Sequence, residues 1–296
     1  MAISLDHYSA ESGHSSGSEL RLLYRLFEDA QRARIAHGER LRAFLQGRSF
    51  AGSGETSGDV EDLLTQIQRG SSVGAPVLLE RAFARAADEE EMLAVELRGA
   101  VEGHPAWDWL EQQRGIGHLL AARLLSRLDV TRANTPSSFW AYCGLATVPG
   151  TTYRCVVCGL ETGYPTGYRV NATHQSRAGS RECKGELSLV ADQRSTRVAP
   201  RRTLAGGRTT YDAQARKSCY LIGVSLLRTR SDYRSYYDAE RERLDEARAG
   251  WTPKRCHLSA LRKMEKAFLR DLWLAWRSAV NLPVVQPYYP RMQRAM

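Results

Sequence analysis

Between Glu19 and Gln46 the apolar residues Leu20, Leu23, Tyr24, Phe27, Ala30, Leu41, Phe44 and Leu45 fall near helical spacing, with charged residues between them. Such spacing lines one face of a 3.6-residue repeat and predicts a single long amphipathic helix. The run GRSFAGSGETSGD is rich in Gly and Ser and is read as a loop, with Asp59 a candidate cap for a shorter helix through VEDLLTQIQ. After GSSVGAP, the stretch VLLERAFARAADEEEMLAVELRGAVEG is again rich in Ala, Leu and Glu with apolar spacings of three and four, so a third helix is expected to pack on the first. Residues 19–103 thus read as an acidic helical hairpin or coiled-coil arm behind a disordered tail at 1–18. The arm serves either as a homodimerisation element or as an intrachain bundle, since no strict heptad persists to choose between them.

The pattern changes beyond Pro105. WDWLEQQRGIGHLLAARLLSRLDV places apolar helical residues on both sides of RGIGHL, where two glycines allow a tight backbone turn. This predicts a helix-hairpin-helix within 104–148, closed by a short helix through TPSSFWAYCGLA that has a Thr cap, a first-turn Pro and Gly144 at its end. From Thr147 to Gly207 the chain turns to short β-prone pieces, YRCVV, GYRVN and LSLVA, separated by Gly, Pro and Asn, which marks 149–207 as a β-rich insertion. Helical pattern returns over 208–296, ahead of a Pro-rich tail. The predicted fold is mainly α: a helical arm, a helix-hairpin-helix core, a small zinc-ribbon-like insertion and C-terminal helices.

Composition fits a globular chain, with 43% apolar and 25% charged residues in 296. The opening MAISLDHYSAESGHSSG lacks a basic lead and an apolar core of signal-peptide length, and no later run is apolar enough to span a bilayer, so a cytoplasmic protein is expected. Charge is divided unevenly. Residues 1–110 hold 11 Lys/Arg against 18 Asp/Glu, and residues 111–296 hold 31 against 15. The basic portion favours a polyanionic partner, with DNA first and RNA second, over a merely solvated Arg-rich surface.

In a reducing compartment six cysteines are a poor disulfide framework, and a clustered subset more often binds metal. Cys155, Cys158, His174 and Cys183 have the spacing Cys-x2-Cys-x15-His-x8-Cys. Three thiolates and an imidazole suit tetrahedral zinc, and a closed set of four protein ligands makes it structural. A short β-rich segment with few apolar residues gains its fold from the metal. The competing redox reading needs a helix after the first cysteine, where VVCGLETG breaks instead. Cys143, Cys219 and Cys256 lie in apolar helical surroundings and are read as small buried hydrophobes.

The hairpin residues Arg114, Gly115, Ile116, Gly117 and His118, with Arg123, are candidate phosphate contacts, because helix N-terminal amides lack partners and glycine lets a phosphate come close. The competing reading is an ordinary helical hairpin. Arg197, Arg201, Arg202, Arg208, Arg216 and Lys217 make a basic strip suited to following a nucleic-acid backbone. Tyr233, Tyr236 and Tyr237 are placed for core packing more than for base stacking. The acidic groups Asp59, Glu61 and Asp62, and Asp88 to Glu91, are neighbours along surface helices and so do not form the converging carboxylates of a two-metal nuclease.

In their order, RGIGHLLAARLLSRLDVTRANTPSSFWAYCGLA, the Gly/Arg-rich strip and ARKSCYLIG resemble the C-terminal transposase domain of the Piv-type DNA invertases and their relatives, the bridge-RNA-guided insertion-sequence transposases. The likeness covers about Trp107 to Ser231, with the cysteine-rich segment as an insertion, and HLSALRKMEKAFLRDLWLAWR resembles the end of stand-alone proteins of that family. It implies DNA binding in transposition or site-specific recombination. In the family a RuvC-like domain with four metal-binding acidic residues comes first, whereas this chain has its acidic arm there, which would leave metal-dependent cleavage to a separate nuclease. The family's catalytic serine follows the Gly-Leu that matches Gly144-Leu145; here the insertion leaves Ser195, Thr203, Thr209 and Thr210 open for that role. The reading that stands beside this one is a non-catalytic, zinc-stabilised DNA- or RNA-binding module.

Overall fold

The structure, a computed structural model, describes residues 17–48, 57–167, 170, 174–176, 182–190, 196–201, 209–248 and 251–285. It is mainly helical with a small antiparallel sheet. The described residues form two compact units. The first extends through Trp107 and takes in Ala121–Arg127; the second comprises Asp108–Leu120 and everything from Leu128. The tail expected at 1–18 falls outside the described residues except for its last two.

The first unit is built on α1 (Gly17–Arg48), α2 (Ser57–Gln68) and α3 (Val77–Glu102). The expected pairing of α1 with α3 is present, and the apolar stripe explains it: Leu20, Tyr24, Phe27, Ala30, Leu41 and Leu45 are all buried. Leu41, Leu64, Ile67, Ala75 and Phe83 join the three helices in one cluster. Arg34 and Gln31 of α1 both bind the Glu90 carboxylate on α3, and Arg42 pairs with Glu61 of α2 at 2.7 Å. Buried Glu80 in the first turn of α3 accepts hydrogen bonds from the Ser72 hydroxyl and from the Val73 and Ala75 amides. Burial opposes its charge, but those three bonds prevail and hold its pKa below the usual carboxylate value. Asp59 sits inside the first turn of α2, because the helix starts three residues earlier than expected.

The second unit takes α4 (Trp107–Glu111) from its second residue, the hairpin and the first three residues of α5 (His118–Leu125), and resumes before α6 (Pro136–Tyr142). Three longer helices, α7 (Ala213–Arg228), α8 (Asp232–Ala247) and α9 (Pro253–Ala279), complete the helical part. α9 is central, since α6, α7 and α8 each pack on it. Its stripe Leu261, Met264, Phe268, Leu272 and Trp276 is buried, with Phe268 against Trp109 and Tyr233, and Trp276 against Phe139. The Trp273 indole N–H donates to the Ala133 carbonyl at 2.6 Å, and the Arg277 guanidinium donates to the same carbonyl and to that of Val130. These bonds tie α9 to the backbone between α5 and α6. Tyr233 belongs to the core, its hydroxyl donating to Asp271 at 2.9 Å, and Tyr237 meets His257 Nδ1 at 2.6 Å.

The insertion folds around β1 (Val148–Cys155), which pairs antiparallel with β2 (Glu161–Pro165) on one side and with β5 (Leu187–Leu189) and β6 (Thr196–Val198) on the other. β3 (His174–Gln175) and β4 (Glu182–Cys183) form a separate two-residue ladder that pairs His174 with Cys183. The strand expected through YRCVV stops at Cys155, because Val156–Cys158 turn back, and LSLVA gives β5. The strand expected over GYRVN falls mostly outside the described residues. β2 was not anticipated: Gly163 and Pro165 argue against a strand in sequence, yet Gly163 is required, since a Cβ there would lie 2.6 Å from Val198.

Candidate metal centre and nucleic-acid interface

Four residues separated in sequence converge on the insertion. β1 ends in Cys155, and the chain reverses through Val156–Cys158 into Gly159, whose φ of +68° is left-handed. This reversal brings Cys158 beside Cys155, while the β3–β4 ladder presents His174 and Cys183 together. The four ligand atoms lie within 4.8 Å of one another. Cys155 Sγ is 3.8 Å from Cys183 Sγ, and Cys158 Sγ is 3.3 Å from His174 Nε2.

The backbone is arranged for thiolates. The Val157 and Cys158 amides donate to Cys155 Sγ at 3.4 Å, and the Gly185 amide donates to Cys183 Sγ at 3.4 Å. Amide donors at sulfur stabilise the negative charge that a metal-bound cysteine carries. The Gly185 amide favours the Cys183 thiolate, but burial and the neighbouring thiols outweigh it and push the pKa up. A cation among the sulfurs removes that mutual repulsion. Gly185 also leaves the needed space, because a Cβ there would stand 2.7 Å from Cys155 Sγ and 2.8 Å from Val157 Cβ. The donor set and its cradle fit a metal ion held by Cys155, Cys158, His174 and Cys183. Among the described residues, this is the one group of three or more such side chains that converges.

The other cysteines are placed differently. Cys143, Cys219 and Cys256 are buried. Contact with the Cys143 thiol, then burial, raises the Cys219 pKa well above normal, while burial raises that of Cys256, so both stay as inert thiols.

The hairpin is fixed by α7. The Ser225 hydroxyl donates to the Gly115 carbonyl at 2.7 Å, and the Thr229 hydroxyl donates to the Arg114 carbonyl at 2.9 Å. Gly115 has φ +98°, and a Cβ there would fall 2.5 Å from Thr229 Oγ1, so geometry and space both demand glycine. Ile116 is buried as the anchor of the turn. Gly117 is exposed, with no atom within 4 Å of where its Cβ would stand, and it leads directly into α5. Arg114 is exposed and His118 partly so. Arg123, expected among the phosphate contacts, lies in the first unit, where it and Arg127 share the Glu28 carboxylate at 3.8 and 3.4 Å, and only 17% of its side chain is exposed.

The basic strip divides. Arg202 and Arg208, with Ser195 and Thr203, lie outside the described residues. Arg201 lies 4.2 Å above the Tyr164 ring and donates to Thr162 Oγ1. Arg197 donates to the Thr147 side chain and carbonyl, and Arg216 donates to the Pro200 carbonyl while stacking on Tyr211. Lys217 is exposed. The Thr209 hydroxyl donates to the Tyr211 carbonyl, and Thr210 is exposed.

One buried carboxyl stands apart from every motif legible in the sequence. Glu265 on α9 is only 6% exposed, and burial raises its pKa to about 8 against the opposing pull of Arg262 and Arg216. A glutamate among helical apolar positions, flanked by Arg262 and Lys266, was its only signal in sequence. No helix among the described residues is long and apolar enough to cross a membrane. No protein-family model, curated protein or solved structure matches the chain.

Proposed function

We propose that the chain is a zinc-stabilised, transposase-related DNA-binding protein acting in DNA transposition or site-specific recombination. The observation that carries the reading is the hairpin: a buried Ile116 and a left-handed Gly115, braced by α7, present the open Gly117 backbone at the start of α5. Amides at a helix start and an unobstructed glycine suit a phosphate of any sequence. Exposed Arg114 and Lys217 add charge that steers the duplex backbone toward the second unit.

Zinc is favoured as the metal by the donor set and its spacing. A tetrahedral ion with sulfur ligands at about 2.3 Å separates those sulfurs by about 3.8 Å, the distance between Cys155 and Cys183. Bound there, zinc would tie the ends of the insertion together. Cys155 and Cys158 hold one side, His174 and Cys183 the other, and all four positions are filled by protein.

Non-catalytic DNA or RNA binding is the second reading. The observation favouring it is that acidic groups of the arm are engaged singly with arginines, Glu61 with Arg42 and Glu90 with Arg34. A denaturing gel with end-labelled DNA separates the two readings. Label retained on wild-type protein and lost in Ser195→Ala assigns strand transfer, whereas duplex or RNA binding without retained label assigns the binding module. Absence of nucleic-acid binding in a filter or anisotropy assay overturns both.

A further inference from the structure

A cavity of about 270 Å³ opens within the first unit, between α1, α2 and the first turns of α3. Its floor is apolar: Phe83 and Leu64 belong to the cluster that joins the three helices, and Ile35 adds to the wall. Gly38, inside α1, also lines it. A Cβ there would stand 3.2 Å from Phe83 Cε2 and 3.7 Å from Arg42 Nη1, so the ring edge and the guanidinium both reach the same point on the helix. Glycine is otherwise a poor residue for a helix interior, and here it leaves space that a side chain would take.

The rim is charged, and its charges do not balance. Arg42 donates from Nε and Nη2 to the two oxygens of Glu61 at 2.7 and 3.0 Å, and from Nη1 to Glu39 at 2.8 Å. One guanidinium thus gathers two carboxylates. The other cation on the cavity, Arg34, is matched by Glu90 of α3, which also accepts from Gln31. This leaves an excess of one negative charge at the rim, in a part of the chain where residues 1–110 already hold 11 Lys/Arg against 18 Asp/Glu. Each carboxylate keeps lone pairs beyond those that Arg42 occupies. The Glu39 and Glu61 side chains are more than half exposed, so a ligand can reach them from solvent.

We propose that this cavity binds a small organic monocation, an ammonium group carried on an apolar stem. The stem would cover Phe83 and Leu64, removing apolar surface from water, while the ammonium donates to Glu39 and Glu61 at the rim. Size points the same way. The volume falls below the roughly 300–1,000 Å³ of sites for drug-sized ligands, which favours a molecule of a few carbons over a nucleotide or a peptide. The excess negative charge that attracts an amine repels an anion of the same shape. Bound there, the amine would tie α1 to α2 and stabilise the arm by mass action, whether or not the chain binds nucleic acid.

The test titrates the full chain with n-hexylamine, which like a lysine side chain is protonated at neutral pH, beside hexanol and hexanoate at one ionic strength, followed by calorimetry. Saturable binding of hexylamine is expected, with a dissociation constant on the order of 1 mM. Hexanol should bind about fivefold more weakly and hexanoate more weakly still. Glu39→Gln, a substitution on the exposed rim, should bring hexylamine down to the level of hexanol, whereas Glu96→Gln, exposed on α3 and outside the cavity, should change nothing. Gln68→Trp, which sets a large ring at the exposed edge of the cavity, should abolish binding of both. Hexanol or hexanoate binding as tightly as hexylamine overturns the choice of a cation. Equal losses in Glu39→Gln and Glu96→Gln would show a general attraction to the acidic arm and overturn the site, as would unchanged binding in Gln68→Trp. No saturable binding of any of the three probes overturns the cavity as a ligand site.

Discussion

The Ser225 hydroxyl donates to the Gly115 carbonyl at 2.7 Å, joining a hairpin to a helix 110 residues further along the chain. The bond holds Gly115 where a side chain has neither a favourable φ nor room. Gly115→Ala is expected to destabilise the protein by about 2–4 kcal/mol, combining left-handed strain with overpacking against Thr229. Gly117→Ala should stay within about 1 kcal/mol of wild type but weaken DNA binding by obstructing the open backbone. Urea melts and anisotropy titrations of both variants check the contrast; equal effects of the two on stability would be incompatible with it.

Metal content is the next expectation. Purified protein should carry about one zinc per chain, and chelation or Cys158→Ser should dissolve the sheet around β1 while far-UV circular dichroism keeps most of its helical signal. Elemental analysis and a melt with and without chelator provide the check. An unchanged melting profile in metal-free protein would show that the four ligands do not stabilise the insertion.

Gly185→Ala tests the cradle without removing a ligand. Its Cβ would press on Cys155 Sγ and Val157, so a cost of about 1–3 kcal/mol is expected, with weaker zinc retention in a chelator competition. Retention equal to wild type would mean that the two turns have room to move apart.

Glu265 makes stability depend on pH. Its folded pKa of about 8 lies above the usual carboxylate value of 4.5, so between those limits the folded state holds a proton that the unfolded state has released. Its contribution is complete below pH 4.5, declines as pH rises, and levels off above about 8. The decline is about 1.4 kcal/mol per pH unit. Glu265→Gln, which resembles the protonated acid, should remove that slope and stabilise the protein at pH 7 by roughly 3–4 kcal/mol. Denaturant melts at several pH values measure the difference between the two proteins; parallel curves would place the carboxyl in a wetter setting.

The helices were legible because burial follows period. The stripe from Leu20 to Leu45 and the repeat through Leu261, Phe268 and Trp276 each face a core, and their ends lie within a few residues of those expected. The four metal ligands were legible because thiol and imidazole spacing carries chemistry independently of fold. β2 and β6 were not, since short strands gain their register from β1 across the sheet and hold little local preference of their own. The destination of Arg123 was equally hidden: choosing between solvent and Glu28 needs a partner nearly a hundred residues away. Glu265 was overlooked because its meaning comes from burial, which a lone glutamate in a basic helix does not announce.

The pairing of β1 also bears on the order in which the molecule forms. Val148 meets Val198, and Cys155 meets Leu187, so the sheet closes long stretches of chain for few hydrogen bonds, whereas each helix is completed by neighbours four residues apart. Long closures are slow and bring little reward until several contacts exist together. An ion captured by Cys155 and Cys158 at one turn and by His174 and Cys183 at the other would make the first of those closures by itself. Metal supply would then set the rate at which newly made chains mature, as well as the stability of the finished protein.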